Sequence, residues 1–469
     1  MSHSIKKNFA YKSILTISTY LINFITFPYV ARVLGVEHIG LVNFVDNTVN
    51  YFLLFATMGI GLLGVREIAA VKNDVKALDR VYSNLIGINL VFTLASLVIY
   101  LACVVMVPQL RQYKELFYIG TTKIVFTVFL VEWFFTGIED FRYITLRSLF
   151  IKFIYVICVF LFVRDVTCYR IYFVLTVGVV VVNALINQFY IRKLVHFRWR
   201  IISLKEYLKE NIILGIYTLM TSMYLTFNVM FLGLVSNNTE VGYYTTAFKL
   251  YSVVLGFFTA FTNVMLPRMS LLLANSENDR FQELANRSFS VMATFSIPLI
   301  LCSMILAPQI IYVLSGPGYE GAILPMRIIM PAAFVVGIAQ VLAIQVLMPM
   351  KKDRVLLRAS IIGAAVSVLI NLCLVPYVAS VGSAVVLLCS ELAVTGTYVA
   401  YTLSHKLIRI PIKVIGRSLL LALPITFVCW GCGSWIKNEF VGVISAFVLS
   451  VLFLEGLKIV VKYYIERKV

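Results

Sequence analysis

The sequence predicts an all-α integral membrane protein of about 14 transmembrane helices. Composition is the first reason. The chain has 469 residues, of which 61% are hydrophobic and 13% charged, and its mean hydropathy is +0.93. Single soluble cores stop growing near ~250–300 residues, so lipid must cover the remaining apolar surface. The shape of the apolar runs is the second. They are continuous over about 20 residues, twice a barrel strand and without its alternation, which indicates helices. The third is the distribution of basic residues, which alternates along the chain from one side of the runs to the other.

Residues 1–12 are polar and basic and lead straight into a run long enough to span, so no cleavable signal peptide is expected. Span one covers residues 11–31 and contains Pro28; span two covers 41–65 and contains Gly59, Gly61 and Gly64. Such residues kink helices or permit their close approach. Spans three to six follow at 83–107, 116–137, 144–163 and 171–191. A basic stretch, RKLVHFRWRIISLKEYLKE, comes next and predicts an amphipathic segment on the cytoplasmic face. Spans seven to twelve lie at 212–235, 243–266, 289–306, 328–350, 359–377 and 380–403. The longest loops between spans are expected at 192–211 and 267–288 on one side and 307–327 on the other. The last contains SGPGYEG, a turn that lacks the G-K-[ST] ending of a phosphate loop. Spans thirteen and fourteen occupy 418–436 and 441–461.

With the N-terminus inside, about 30 of the 40 Lys and Arg fall on the cytoplasmic side and about 7 outside. Both termini are therefore expected in the cytoplasm. The net charge of +18 follows from topology, with attraction to anionic lipid, and requires no nucleic acid. Segments of the two halves also match in order. Gly40 stands opposite Gly242 and Arg147 opposite Arg358, which predicts six-span lobes at residues 1–200 and 201–405, with 406–469 as two added spans.

Three lysines remain inside spans: Lys123, Lys152 and Lys249. A charge at the centre of an inserted helix costs roughly 2.5–3.5 kcal/mol, so each needs a reason. Lys123 and Lys152 lie close enough to span ends for snorkelling to serve as one; Lys249 is deeper. The alternative reason is a cationic lining for an anionic head group. Asp46, Glu132 and Glu391 are acids at similar depth, open to pairing with a lysine, to proton coupling or to contact with sugar hydroxyls. Arg32, Asn43, Asn47 and Tyr244 add polar groups. No metal or cofactor is expected, because His3, His38, His196 and His405 are scattered. Cys429 and Cys432 form a C-x-x-C inside a span and read as small packing residues. No G-x-S-x-G elbow or nucleotide-binding domain is present, so the chain is not expected to be an enzyme or an ATP-driven pump.

The runs FPYVARVLGVEHIGLVNFVDNTVNYF, GIGLLGVREIAAVKND and VEWFFTGIEDFRYITLRSLF resemble the polysaccharide flippases of the multidrug/oligosaccharidyl-lipid/polysaccharide superfamily. The likeness lies in P-x-x-A-R-x-L-G (Pro28, Ala31, Arg32, Leu34, Gly35), in G-x-R-E-I-A (Gly64, Arg66, Glu67, Ile68, Ala69) and in W-x-x-x-G-x-E (Trp133, Gly137, Glu139), with Gly40 in the segment following span one. It covers about residues 5–405. The resemblance implies two six-helix lobes in a MATE-like arrangement around a central cavity, plus two C-terminal helices. It implies transfer of an undecaprenyl-diphosphate-linked oligosaccharide, an O-antigen or capsule repeat unit, from the inner to the outer leaflet of a bacterial plasma membrane. Membrane lipid, a glycan polymerase and other envelope-glycan assembly proteins are the implied partners. Drug/cation antiporters of the superfamily depend on carboxylates in span one or seven; these spans hold no Asp or Glu. A membrane enzyme or scaffold of glycan assembly is the other alternative.

Overall fold

A computed structural model describes residues 5–198, 203–223, 226–409, 411–436 and 438–466. Arg200, Lys437, Arg467 and Lys468 of the charge count lie outside these. Every regular element among the described residues is a helix. The chain forms two compact units, Met1–Gly242 with Gly363–Ala379, and Tyr243–Ile362 with Ser380–Val469.

In the first unit, α1 (Ile5–Thr57) has 53 residues. A straight helix of that length would run about 80 Å, against a bilayer core of about 30 Å. Gly35 resolves the conflict. Its φ of 72° and ψ of 169° interrupt the helix, a conformation glycine adopts without a Cβ penalty. Spans one and two are thus separated there, and the second begins at residue 36, five residues earlier than the hydropathy predicts. A second break at Met58 and Gly59 precedes α2 (Ile60–Val71).

The next helix, α3 (Val75–Met106), starts well before its apolar run. Asp74 caps it by accepting the backbone N–H groups of Lys76 and Ala77. Its polar first turns are used. Asp79 and Ser83 side chains accept the backbone N–H groups of His196 (2.8 Å) and Arg198 (3.0 Å), and Asn84 accepts that of Ser203 (2.7 Å). The stretch expected to be one amphipathic surface segment is therefore tied to α3 by backbone hydrogen bonds on both sides of residues 199–202, which lie outside the described residues. Buried amides need partners, and these side chains supply them.

After α4 (Pro108–Arg111), span four is two helices, α5 (Lys114–Thr127) and α6 (Glu132–Gly137). Neither Pro nor Gly marks the break, which runs through Val131 at a φ of 40°. The freed Leu130 carbonyl accepts a hydrogen bond from the Asn187 amide. Then come α7 (Phe141–Phe162), capped by Asp140, and α8 (Tyr169–Ile191). Span seven is also two helices, α9 (Leu204–Ser222) and α10 (Phe227–Val235), bent by 57°. They pack against α1 and α3, and hence within the first unit. The six-span lobes remain a proposal about the repeat, since the compact units divide the chain by packing.

The helix α11 (Asn238–Ala274) starts in the first unit and continues into the second. It runs through Pro267, so most of the loop expected at 267–288 is helical, up to a short turn before α12 (Asn278–Ile305). The outer loop expected at 307–327 is likewise largely α13 (Ala307–Ser315), with the turn confined to the SGPGYEG stretch. Then α14 (Ile323–Gln340) passes into a wider helical turn at Val341–Leu347. Next is α15 (Asp353–Ser404), broken at Ala379 (φ 44°, ψ −118°) between spans eleven and twelve. A non-glycine residue there is strained. Finally α16 (Ile412–Trp435) packs on α12 and α17 (Glu439–Glu466).

Ten described helices are long and apolar enough to cross a membrane, and eleven with the bent pair. Because α1 and α15 each hold two expected spans, and α17 is apolar over Glu439–Ser450, about 14 spans are compatible with the fold. Phe150, Phe153 and Phe427 stand 63%, 65% and 73% exposed. Such faces need lipid to cover them, so the chain is a multi-pass membrane protein.

Candidate functional site

Asp46 belongs to the second half of α1, 11 residues beyond Gly35. At 1.5 Å per residue it lies about 16 Å along its span, near mid-membrane rather than one turn in. Lys123 lies a similar distance along α5. Its Nζ donates to Asp46 Oδ1 at 2.6 Å and to Asn50 Oδ1 at 2.7 Å, while Asn50 Nδ2 donates to Asp46 Oδ2 at 3.0 Å. The three side chains close a triangle. Lys123 is 7% exposed; it does not snorkel, and its charge is held by the partner the sequence offered. Asn50, one helical turn from Asp46, was not singled out by the sequence. An asparagine in a span facing an acid four residues away was the available signal.

A second cluster joins α6, α7 and α8. Glu132, at the start of α6, pairs with Arg147 of α7 (2.8 Å). Arg147 is almost fully buried, whereas Glu132 is about half exposed. Arg147 also donates to Asn187 Oδ1 and to Ser148 Oγ (3.2 Å), and lies over the Tyr143 ring at 5.6 Å. Its Nε has no protein partner. Lys152, one turn further along α7, donates to Thr19 Oγ1 (2.6 Å) and Ser18 Oγ (3.4 Å) of α1. By hydropathy Arg147 stands at the edge of its apolar run. The break at Val131 delivers Glu132 to it and makes it an interior group. Its expected counterpart Arg358 is exposed.

The other expected residues are not brought to these clusters. Asn47 Nδ2 donates to the Asn43 carbonyl, and Asn43 Nδ2 to the Ile39 carbonyl, both within their own helix. Arg32 is exposed and donates to the Pro28 carbonyl at 2.9 Å. In the second unit Lys249 is half-buried on α11. Glu391 of α15 is 5% exposed and faces the Tyr251 hydroxyl of α11. Tyr244 is fully buried. Cys429 and Cys432 are buried among Leu306, Ile425 and Ala446 as packing residues.

The family motifs have a common physical use. A Cβ on Gly64 would lie 2.7 Å from Trp133 Cδ2, and one on Gly137 would lie 2.7 Å from Ile68 Cβ. The G-x-R-E-I-A helix α2 and the W-x-x-x-G helix α6 are therefore seated on each other, glycine against side chain in both directions. The charged members form the rim: Arg66 with Glu67 (2.8 Å) and Glu210, and Glu139 with Lys72 (3.2 Å). Gly40 and Gly242, matched by the repeat, meet face to face. A Cβ on Gly40 would overlap the Asn238 carbonyl and lie 2.7 Å from the Gly242 nitrogen, and one on Gly242 would overlap the Val36 carbonyl.

Residues 5–273, more than half of the chain, match the family described as polysaccharide biosynthesis protein. A protein of Escherichia coli strain K12, provisionally named an O-antigen transporter, is 23% identical over 86% of this chain and 98% of its own length. One of Shigella dysenteriae with the same name is 25% identical over 83% and 98%. Among solved structures, the lipid II flippase MurJ in an inward closed conformation has a TM-score of 0.75 at 15% identity, covering 95% of this chain and 99% of that one. An inward-facing multidrug-resistance MATE transporter of the MOP superfamily has a TM-score of 0.65 at 14% identity, over 84% and 98%. The fold is thus the one shared by these transporters, and the chain belongs to the polysaccharide biosynthesis protein family that its motifs resemble.

Proposed function

We propose that the chain is a lipid-linked oligosaccharide flippase. It would carry an undecaprenyl-diphosphate-linked repeat unit from the cytoplasmic to the outer leaflet of a bacterial plasma membrane by alternating access, with both termini in the cytoplasm. The observation that supports this reading is the burial of two cations, Lys123 and Arg147, among apolar helices in a chain of the polysaccharide biosynthesis protein family. Fixed cations in a water-poor site attract a diphosphate strongly. Lys123 is paired with Asp46 and Arg147 with Glu132, and a diphosphate would compete with these carboxylates for the two cations. The sugars would use water and amides such as Asn47, and the polyprenyl tail would stay in lipid.

A dianionic head group leaving an inside-negative cell moves downhill by roughly 2.3 kcal/mol per charge per 100 mV. In sealed vesicles holding the purified protein, transfer of a fluorescent polyprenyl-diphosphate glycan should speed up under an inside-negative potential and slow when it is collapsed. Indifference to the potential would remove this driving force, and absence of transfer would remove the flippase reading. Lys249, in the second unit, is a separate candidate for contact with the anionic cargo. Lys249→Ala should lower surface-glycan export at normal protein level, and Lys249→Arg should retain more. Full export by the Ala variant would strike Lys249 from the candidates.

A further inference from the structure

The first unit contains a cavity of about 280 Å³ that no cluster above uses. It lies where α5 and α8 begin, beside the Gly40 contact, on the face that the charge count assigns to the outside. Its size is near the ~300 Å³ lower end of small-molecule sites. The walls are braced. The Tyr169 ring lies 4.6 Å from that of His38 and 5.8 Å from the Arg170 guanidinium, whose Nε donates to the Tyr169 hydroxyl at 3.2 Å. Arg170 is itself tied to Glu115 at 2.9 Å. Elsewhere in the lining, Asn238 Nδ2 donates to the Tyr113 hydroxyl at 2.7 Å. Gln112 and Glu37 add planar amide and carboxylate groups.

The charges in this cavity balance, with Glu37 and Glu115 against Lys114 and Arg170. It is therefore no site for a diphosphate, unlike the cations deeper in the unit. Aromatic rings together with amides and carboxylates, each able to meet adjacent hydroxyls, suit a neutral sugar. Asn238 also supplies the carbonyl against which Gly40 packs, so the cavity adjoins that close helix contact. We propose that the cavity is a sugar-binding vestibule, where the neutral oligosaccharide part of the cargo docks on the outer side. The proposal rests on the flippase reading for its cargo, but binding of a free sugar requires no transport.

The test uses the full-length protein purified in detergent and free oligosaccharide released by mild acid from the surface glycan of the same cells. Saturation-transfer NMR should show saturable binding. Tyr169→Ala should weaken it by about tenfold or more, and Gln112→Ala, an exposed position that leaves the ring stack intact, by a smaller factor. Inorganic diphosphate should not compete. Absence of saturable binding to the wild type, undiminished binding in both variants, or competition by diphosphate would each overturn the vestibule. None of these results touches vesicle transfer, on which the flippase reading stands or falls separately.

Discussion

Lys123→Met should abolish glycan export and reduce the amount of folded protein, and adding Asp46→Asn should restore the protein level without restoring export. The single substitution leaves Asp46 and Asn50 at mid-membrane without the ammonium that both accept from. Removing one partner of a buried ion pair costs about 3–5 kcal/mol, because a charge is left uncompensated. That is a large fraction of a typical stability. The double variant removes both charges, and neutral isosteres at such pairs are often tolerated. A purely structural pair would then export normally. A pair that supplies the cation for a diphosphate would not, since no ammonium remains. Quantitative blotting and surface-glycan staining of the two variants side by side decide between these, and export at wild-type level by the double variant would take Lys123 out of the substrate path.

Gly40→Ala is expected to cut export at least tenfold, while Gly61→Ala should have no effect. Both are helical glycines, Gly40 in α1 and Gly61 in α2, so helix propensity predicts the same small change for each. Their surroundings differ. A Cβ on Gly61 meets nothing within 4 Å, whereas one on Gly40 overlaps the Asn238 carbonyl. A backbone carbonyl cannot rotate away as a side chain can, so the two helix starts must separate. Overpacking of this kind costs about 1–3 kcal/mol, and under alternating access it would bias the protein against the state in which the contact is closed. A cysteine at Val36, which Gly242 covers, should react faster with an impermeant maleimide in the Gly40→Ala protein than in the parent, both lacking Cys168. Equal labelling and normal export would reduce the contact to ordinary packing.

The ion pairs show why part of the site could be read in the chain and part could not. Asp46, Glu132, Lys123 and Lys152 stood out as charges in apolar runs, because each is costly alone in lipid. Their pairing was not legible: Lys123 and Asp46 are 77 residues apart, and periodicity says nothing about which helices become neighbours. The burial of Arg147 was not legible for a related reason. Hydropathy places it at an interface, and only the unmarked break at Val131 brings Glu132 to it.

The glycines divide in the same way. Gly35 stood out only as a motif residue, and Gly40 and Gly242 could be matched by position, but the break at the first and the mutual contact of the other two could not be inferred. Length, apolar runs and the basic bias determine an all-helical, many-span membrane protein, because the bilayer demands internally hydrogen-bonded segments of fixed length. The motifs determine the family. Tertiary structure alone decided that Lys123 is locked to Asp46, that Arg147 is interior, and that α2 and α6 seat on each other. These depend on which faces meet, and a run of uniformly apolar residues carries almost no information about its own rotation.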